Sequence, residues 1–355
     1  MIGKGKMKII IIAIPGIGNT LLAVPVLQKL REAYPKARVD LLVGLKSSLE
    51  IMGGCPYLDN IYLINKKIQG GILQNLGLIR RLRKERYDIS ITTIPAAQPH
   101  YNVLAWLIGA KTKITHNYES NLVSLQNVRI PLKIAHDVEQ NLNLIKPLGI
   151  NTGGGHALEL WPSTKEKIFA DEFIRNFKER TIIGIHPGTS VERGMIEKRW
   201  PLESFAKVSE WIAEINGGSR ILIFLGPDEK NLEGIRGLVN KRAKNKITIV
   251  KNIDIRRVAT IIGKCKLFIS NDSGLMHIAV AMKVPTIAIF LSTDYRRTAP
   301  YGGRHVVVRN GETYKAFRQS IEELSGIRTD YKKYRVKDVS PNEIIKAVNR
   351  ITKRR

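Results

Sequence analysis

Residues 9–28 read IIIIAIPGIGNTLLAVPVLQ and carry no charge. A run of about 20 residues is long enough for a membrane helix. Its composition argues against one. Pro15, Gly16, Gly18, Asn19, Thr20, Pro25 and Gln28 would all lie in hydrocarbon, and four consecutive isoleucines favour a strand. A secretory signal fits no better, because its apolar core would end at Ile14, before the turn. The stretch parses as a buried strand from Lys8 to Ile14, a turn at PGIG, and a helix running from Asn19 to Ala33.

The same unit recurs along the chain. ARVDLLVG reads as a strand, SSLEIMG as a short helix, NIYLI as a strand and LIRRLRKERY as a helix end leading into the strand DISITTI. AWLIGA closes another helix, AKTKITH is a strand, and AHDVEQNLNLIKPLG is a helix. NTGGGHALELWPS, residues 151–163, breaks the alternation with three consecutive glycines and reads as a linker. A second series follows, with strands in RTIIGIHPG, SRILIFLGP, KITIV, CKLFISN and VPTIAIFLS and helices between them. Strands alternating with helices imply right-handed crossovers and parallel sheets covered on both faces. The fold expected is α/β, with two doubly wound, Rossmann-like domains facing a central cleft. Their predicted extents are residues 1–155 and 156–339, with a closing helix over 340–355 that packs back toward the first domain.

Composition agrees with that division. A chain of 355 residues is too long for one comfortable core, and 43% apolar with 25% charged residues describes a globular protein. Cys55 and Cys265 are far apart and form no CxxC pair, which suits a reducing compartment and argues against a zinc site or a disulfide framework. With the opening stretch read as strand, turn and helix, neither span nor secretory signal, the chain is expected in the cytoplasm. The net charge of +27 is the outlying value, and cations outnumber anions by about two to one in both halves. Such a surface suits nucleic acid, anionic lipid headgroups or phosphorylated small molecules, and equally a lysine-rich proteome. No nucleic-acid recognition motif accompanies it, and aromatics are only 6%.

Ligands of doubly wound sheets sit beyond the carboxyl ends of the strands, so three loops draw attention. PGIGNT gives GxGxxL, which lacks the third glycine of a dinucleotide fingerprint, and the second strand ends LLVGLK without a ribose-binding carboxylate. A nicotinamide enzyme is thereby disfavoured. Gly16, Gly18 and Asn19 still bring backbone N–H groups and a helix start to the strand end, although a tight turn that merely packs helix on sheet would look the same. IHPGTSVERGMIEKRWP, residues 185–201, supplies the hydroxyls of Thr189 and Ser190 and the cations Lys198 and Arg199, which suit a diphosphate. ISNDSGLMHIAVAMKVPTIAIF, residues 269–290, runs from a strand into a helix that Asp272 or Ser273 can cap, with a helix dipole at Gly274 and His277 one turn further on. A histidine on an apolar helix is more often core than ligand; its place after a strand and turn moves it toward the site.

Taken together, IIIIAIPGIGNTLLAVPVLQKLREAYPKARVDLLV, HDVEQNLNLIKPLGI, HPGTS with EKRWPLESFAKV, and SNDSGLMHIAVAMKVPTIAIF resemble the bacterial lipopolysaccharide heptosyltransferases of glycosyltransferase family 9. The resemblance covers residues 7–310 and the closing helix. It implies the two-domain GT-B architecture and an inverting, metal-independent transfer of a sugar from a nucleotide diphosphate such as ADP-heptose to a hydroxyl of a lipid-linked glycan. No cofactor or metal is implied. By position, Thr189, Ser190 and Lys198 would hold the diphosphate. Asp272, Ser273, Gly274 and His277 would meet the donor's phosphates and sugar, and Asp228 or Glu229 the nucleoside. The acceptor would approach Gly16, Gly18 and Asn19, and the surplus positive charge would serve an anionic acceptor at a membrane surface on the cytoplasmic face.

One position departs from the family. Its transferases usually carry Asp where this chain has Asn19, and that carboxylate is the expected general base. An amide can position a hydroxyl but cannot take its proton. Another base, the substrate or a water could replace it, or the protein binds sugar nucleotide without rapid transfer. Among the histidines of the first domain, His100, His116 and His136 are candidate bases, with His100 favoured because it follows the strand ISITTIP. Residues 311–335 also lack the cysteines that many relatives carry there, which leaves the exact donor and acceptor open.

Overall fold

The computed structural model describes residues 6–65, 71–96, 98–118, 122–133, 135–179, 181–189, 198–215, 219–309 and 339–353. Ser190 and residues 311–335 lie outside them. The chain forms two compact units, described in turn, that divide between Trp161 and Pro162.

The first unit is built on β1 (Lys8–Ala13), β2 (Arg38–Val43), β3 (Asn60–Leu63), β4 (Ile89–Thr92), β5 (Thr112–His116) and β6 (Val128–Ile130). All pairings are parallel, in the order β3-β2-β1-β4-β5-β6. β1 lies at the centre, with Ile9 to Ala13 essentially free of solvent, which is why that run is wholly apolar. The uncharged stretch is thus a central strand followed by helical turns. No helix among the described residues is long and apolar enough to cross a membrane.

The second unit repeats the plan with β7 (Thr181–His186), β8 (Ser219–Phe224), β9 (Ile247–Val250), β10 (Leu267–Asn271), β11 (Thr286–Phe290) and β12 (His305–Arg309), ordered β12-β11-β10-β7-β8-β9. In each sheet the first and fourth strands of the unit are neighbours, and the chain leaves them in opposite directions. That reversal opens a crevice at the carboxyl ends of β1 and β4, and likewise of β7 and β10.

Several sequence expectations need correction. The predicted helix from Asn19 to Ala33 is two helices, Ile17–Leu21 and Val24–Ala33, because Pro25 has no N–H to donate back and instead opens the second helix. The unit boundary falls after Trp161 rather than at Gly155. Residues 156–161 belong to the first unit because the Ala157 N–H donates to Gln28, the Tyr57 hydroxyl donates to Glu159, and the Trp161 ring meets Tyr57 edge-on. The closing helix, Pro341–Lys353, expected to pack toward the first domain, belongs to the second unit. Its Ile344, Ala347, Val348 and Ile351 are part of the second unit's hydrophobic core. Helix Thr164–Arg175, absent from the sequence reading, starts at a capping box in which Ser163 and Glu166 satisfy each other's backbone N–H groups.

Candidate functional site

The β7 and β10 ends of the second unit bring together most of the predicted donor residues. β10 delivers Asn271 and Asp272 side by side, and the chain then turns into helix Gly274–Ala281. Ser273 caps that helix by accepting from the Met276 N–H, and its hydroxyl also meets Ser270 at 3.0 Å. Ser273 and Gly274 are half-buried, so the positive end of the helix dipole is open to a ligand.

Lys198 donates to the Asp272 carboxylate at 2.7 Å, and the Thr293 hydroxyl donates to the same oxygen at 2.8 Å. Burial alone would raise the Asp272 pKa. The Lys198 charge and hydrogen bond, the Thr293 hydroxyl and the nearby His277 outweigh it and hold the carboxyl below its usual range. The result is an ionised, almost fully enclosed carboxylate that orients an ammonium beside an open helix start.

Arg199, next in sequence, closes the other side of the loop. Its guanidinium donates to the Thr189 hydroxyl at 3.3 Å and to the Thr189 carbonyl at 2.9 Å. The side chain of Asn271, fully buried, accepts from the Trp200 N–H at 3.1 Å and donates to the Pro187 carbonyl at 2.8 Å. Both arms of the basic loop are thereby fastened to the end of β10. Trp200 is anchored further by its indole N–H on the Val339 carbonyl and by an edge contact with Phe205.

Glu229 is buried and accepts from the Gly226 N–H at 2.7 Å, while the exposed Asp228 beside it points to solvent-accessible surface. The Glu229 carboxylate also lies 3.9 Å from both His186 and Arg199. It presses so closely on Gly188 that a Cβ there would stand 1.8 Å from its oxygen, which explains the glycine of HPGT. His186 donates from Nδ1 to the Phe224 carbonyl, a fixed tautomer inferred from an oxygen that can only accept.

In the first unit, the β1 end carries Gly16, Gly18 and a half-buried Asn19 on the short helix Ile17–Leu21. Thr20 ties the turn down by donating to the Gly16 carbonyl at 3.0 Å. Gly44, beyond β2, is required because a Cβ would meet Ile14 at 2.5 Å. Asn141 then joins this turn to the β4 exit, donating to the Leu22 carbonyl and accepting from the Ile94 N–H.

The three candidate bases separate clearly. His116 is excluded, since it is fully buried with both ring nitrogens against the carbonyls of Ile130 and Gln140, and burial pushes its pKa down to about 4. His136 spends its Nδ1 lone pair capping helix Asp137–Asn143 through the Val138 N–H. His100 is exposed at the start of helix Pro99–Ile108, with its ring 4.2 Å from that of Tyr101. Asn271 and Thr293 had no role in the sequence reading. Asn271 ends β10 and Thr293 lies just beyond the carboxyl end of β11, and the strand-end rule is the signal that would have found them.

Comparison with known proteins gives this geometry a family. The lipopolysaccharide heptosyltransferase 3 of Escherichia coli is 25% identical over 297 residues, covering 81% of this chain and 85% of the relative. A glycosyl transferase family 9 structure from Veillonella parvula superposes with a TM-score of 0.79 at 22% identity, covering 97% of each chain. The E. coli heptosyltransferase WaaC with ADP-2-deoxy-2-fluoro heptose superposes at 0.69 and 19% identity, over 97% of this chain and 99% of that one. The fold is GT-B. Residues 76–325 match the profile of glycosyltransferase family 9 (heptosyltransferase), and the chain belongs to that family of glycosyltransferases.

Proposed function

We propose that the protein transfers a heptose or related sugar from an ADP-heptose-like nucleotide diphosphate to a hydroxyl of an anionic, lipid-linked glycan, with inversion and without a metal. The observation that carries this reading is the Lys198–Asp272 pair beside the open start of helix Gly274–Ala281. In the transfer, the acceptor oxygen bonds to the anomeric carbon as the bond from that carbon to the phosphate oxygen breaks, and the hydroxyl proton passes to a base. Negative charge grows on the departing diphosphate. Lys198, held by Asp272, and the helix N–H groups stabilise that charge, the role a metal ion plays in other enzymes. Thr189 and Ser190 contribute hydroxyls, His277 lies near enough to Asp272 to help fix its charge, and Glu229 and Asp228 are assigned to the nucleoside.

At the first unit's strand end, Gly16, Gly18 and Asn19 orient the acceptor hydroxyl, with His100 as the proposed proton acceptor. An anionic membrane on the cytoplasmic side is the proposed setting, consistent with relatives named for lipopolysaccharide. Asn19 supports a second reading, in which the protein binds sugar nucleotide with slow or no transfer, because its amide has no useful basicity.

The test is nucleotide diphosphate release from ADP-heptose in the presence of extracted lipid-linked glycans. Release that is lost in Lys198→Ala and accelerated in Asn19→Asp supports transfer; loss of one general base accounts for about 10²- to 10⁴-fold. Donor binding with no release, unchanged in Asn19→Asp, leaves only the binding reading. Release that survives in His100→Ala removes His100 from the mechanism.

A further inference from the structure

Helix Pro99–Ile108 of the first unit has an unusual outer face. From Pro99 to Ala110 the sequence PHYNVLAWLIGA has no carboxylate, lysine or arginine. Tyr101, Leu104, Ala105 and Ile108 turn inward to the core, while Val103 and Leu107 are only half-buried and Trp106 is 50% exposed. Leu122, at the start of the adjacent 3₁₀ turn, is also 50% exposed, and that turn is fixed to the helix by Gln126 donating to the Asn102 carbonyl.

The flank of this apolar strip is cationic. Helix Gly71–Lys84 packs alongside, and Arg83 donates to the Leu107 carbonyl at 2.9 Å, which fixes the two helices' carboxyl ends together. Arg80, one turn earlier, lies on the same side as Arg83. Arg80, Lys84 and Arg86 are exposed, and among the described residues none of them meets a carboxylate. The acids of this edge are already engaged, Glu85 with Lys8 and Arg38, and Asp88 with Lys111.

We infer that this face docks on an anionic lipid surface, with Trp106, Val103 and Leu122 entering the headgroup boundary and Arg80, Lys84 and Arg86 meeting lipid phosphates. An exposed tryptophan in an uncharged helical strip beside unpaired cations is the pattern of an in-plane interfacial helix. The cations choose the partner: a second copy of a chain with net charge +27 would bring like charges together, whereas a bilayer rich in phosphate complements them. The inference rests on the proposed lipid-linked acceptor and says which surface brings the protein to it.

The test is co-sedimentation with phosphatidylcholine vesicles made with and without phosphatidylglycerol, lacking both acceptor glycan and nucleotide sugar. The wild type should bind only the anionic vesicles, with a blue shift in tryptophan emission that Trp106→Phe removes. Trp106→Ser with Leu122→Ser should lower partitioning at least tenfold, and Arg80→Gln or Lys84→Gln about fivefold each. All four side chains are exposed, so unchanged thermal melting will show that the variants fold. Absence of wild-type binding, or equal binding by the serine variant, overturns the inference. So does self-association by light scattering that the serine variant abolishes without changing vesicle binding, which assigns the face to a second copy. Vesicle binding by a protein that, in the separate assay with ADP-heptose and lipid-linked glycan, binds donor but releases no nucleotide diphosphate would instead overturn the transferase reading alone.

Discussion

Asn271 is the residue whose replacement tests the site's construction most directly. Its one amide joins segments 84 and 71 positions away in sequence, through Pro187 and Trp200. Asn271→Asp keeps an acceptor for the Trp200 N–H but sets a buried carboxylate oxygen against the Pro187 carbonyl, which costs at least the about 1–3 kcal/mol of one unpaired buried carbonyl. The Lys198 arm stays in place while the Thr189 arm is released. The expected outcome, checked by calorimetric titration with ADP, is weaker nucleotide binding with the Lys198–Asp272 pair intact. A second prediction concerns that pair. Asp272 ionises below its ordinary value of 3.8 in the folded protein, so its stabilisation is present above that pH and is lost as pH falls through the lower folded value. Lys198→Ala strands the carboxylate and should destabilise the second unit by about 3–5 kcal/mol near neutrality. Denaturant titrations at neutral and acid pH should show the gap between wild type and variant closing as Asp272 is protonated. Single residues of this kind were only half legible. The SNDSG turn and Lys198 announce themselves by type and spacing, but the Asn271 clamp depends on long-range approach that no local pattern encodes.

The elements were legible where burial is uniform. β1 and β10 are central and covered on both faces; β1 appears as the apolar run IIIIA, and β10 as LFI before it ends in the buried polar pair Ser270 and Asn271. β6 and β12 were not read from the sequence: β6 is only the three residues VRI, too short to show a period, and β12, HVVVR, is a partly exposed valine triplet bracketed by His305 and Arg309. The interruption at Pro25 and the capping box at Ser163 were present in the local sequence and outweighed by helical periodicity or hidden by the glycine linker. β5 makes its own prediction. His116 ends that strand with both ring nitrogens on carbonyls, although a neutral imidazole has one N–H to give. Burial still holds it neutral, with a pKa near 4 against 6.5 when unfolded. The unfolded chain therefore binds a proton first, and the first unit should lose about 3 kcal/mol of stability between pH 6.5 and 4. Urea denaturation across this range checks the slope, and His116→Gln should flatten it whatever that variant's absolute stability.

At the scale of the whole molecule, each unit is a core that must be completed before its strand ends can hold a ligand. The second unit is completed by the chain's closing helix, so a segment far from the site in sequence supports it. Ile344, Val348 and Ile351 are buried in the same cluster as Ile185, Ile269 and Ile289 of the central strands. Full burial of three such side chains contributes roughly 5–9 kcal/mol, comparable to the net stability of an ordinary domain. Two polar ties reinforce the dock: the Trp200 indole donates to the Val339 carbonyl, and Arg304 donates to the Ile351 carbonyl. Trp200 is also the end of the loop that carries Lys198. Deleting residues 340–355 should therefore do more than shorten the protein. Hydrogen exchange on the truncated chain should show lost protection in β7, β10 and helix Leu202–Ile215, with β1 and β4 of the first unit still protected. Loss of protection in the first unit instead would mean that the closing helix serves that unit, as the sequence had suggested. Substituting only Ile344→Ala and Ile351→Ala in the full chain should weaken ADP binding as well as stability, because the helix, through Val339 and Trp200, sets where the basic loop ends.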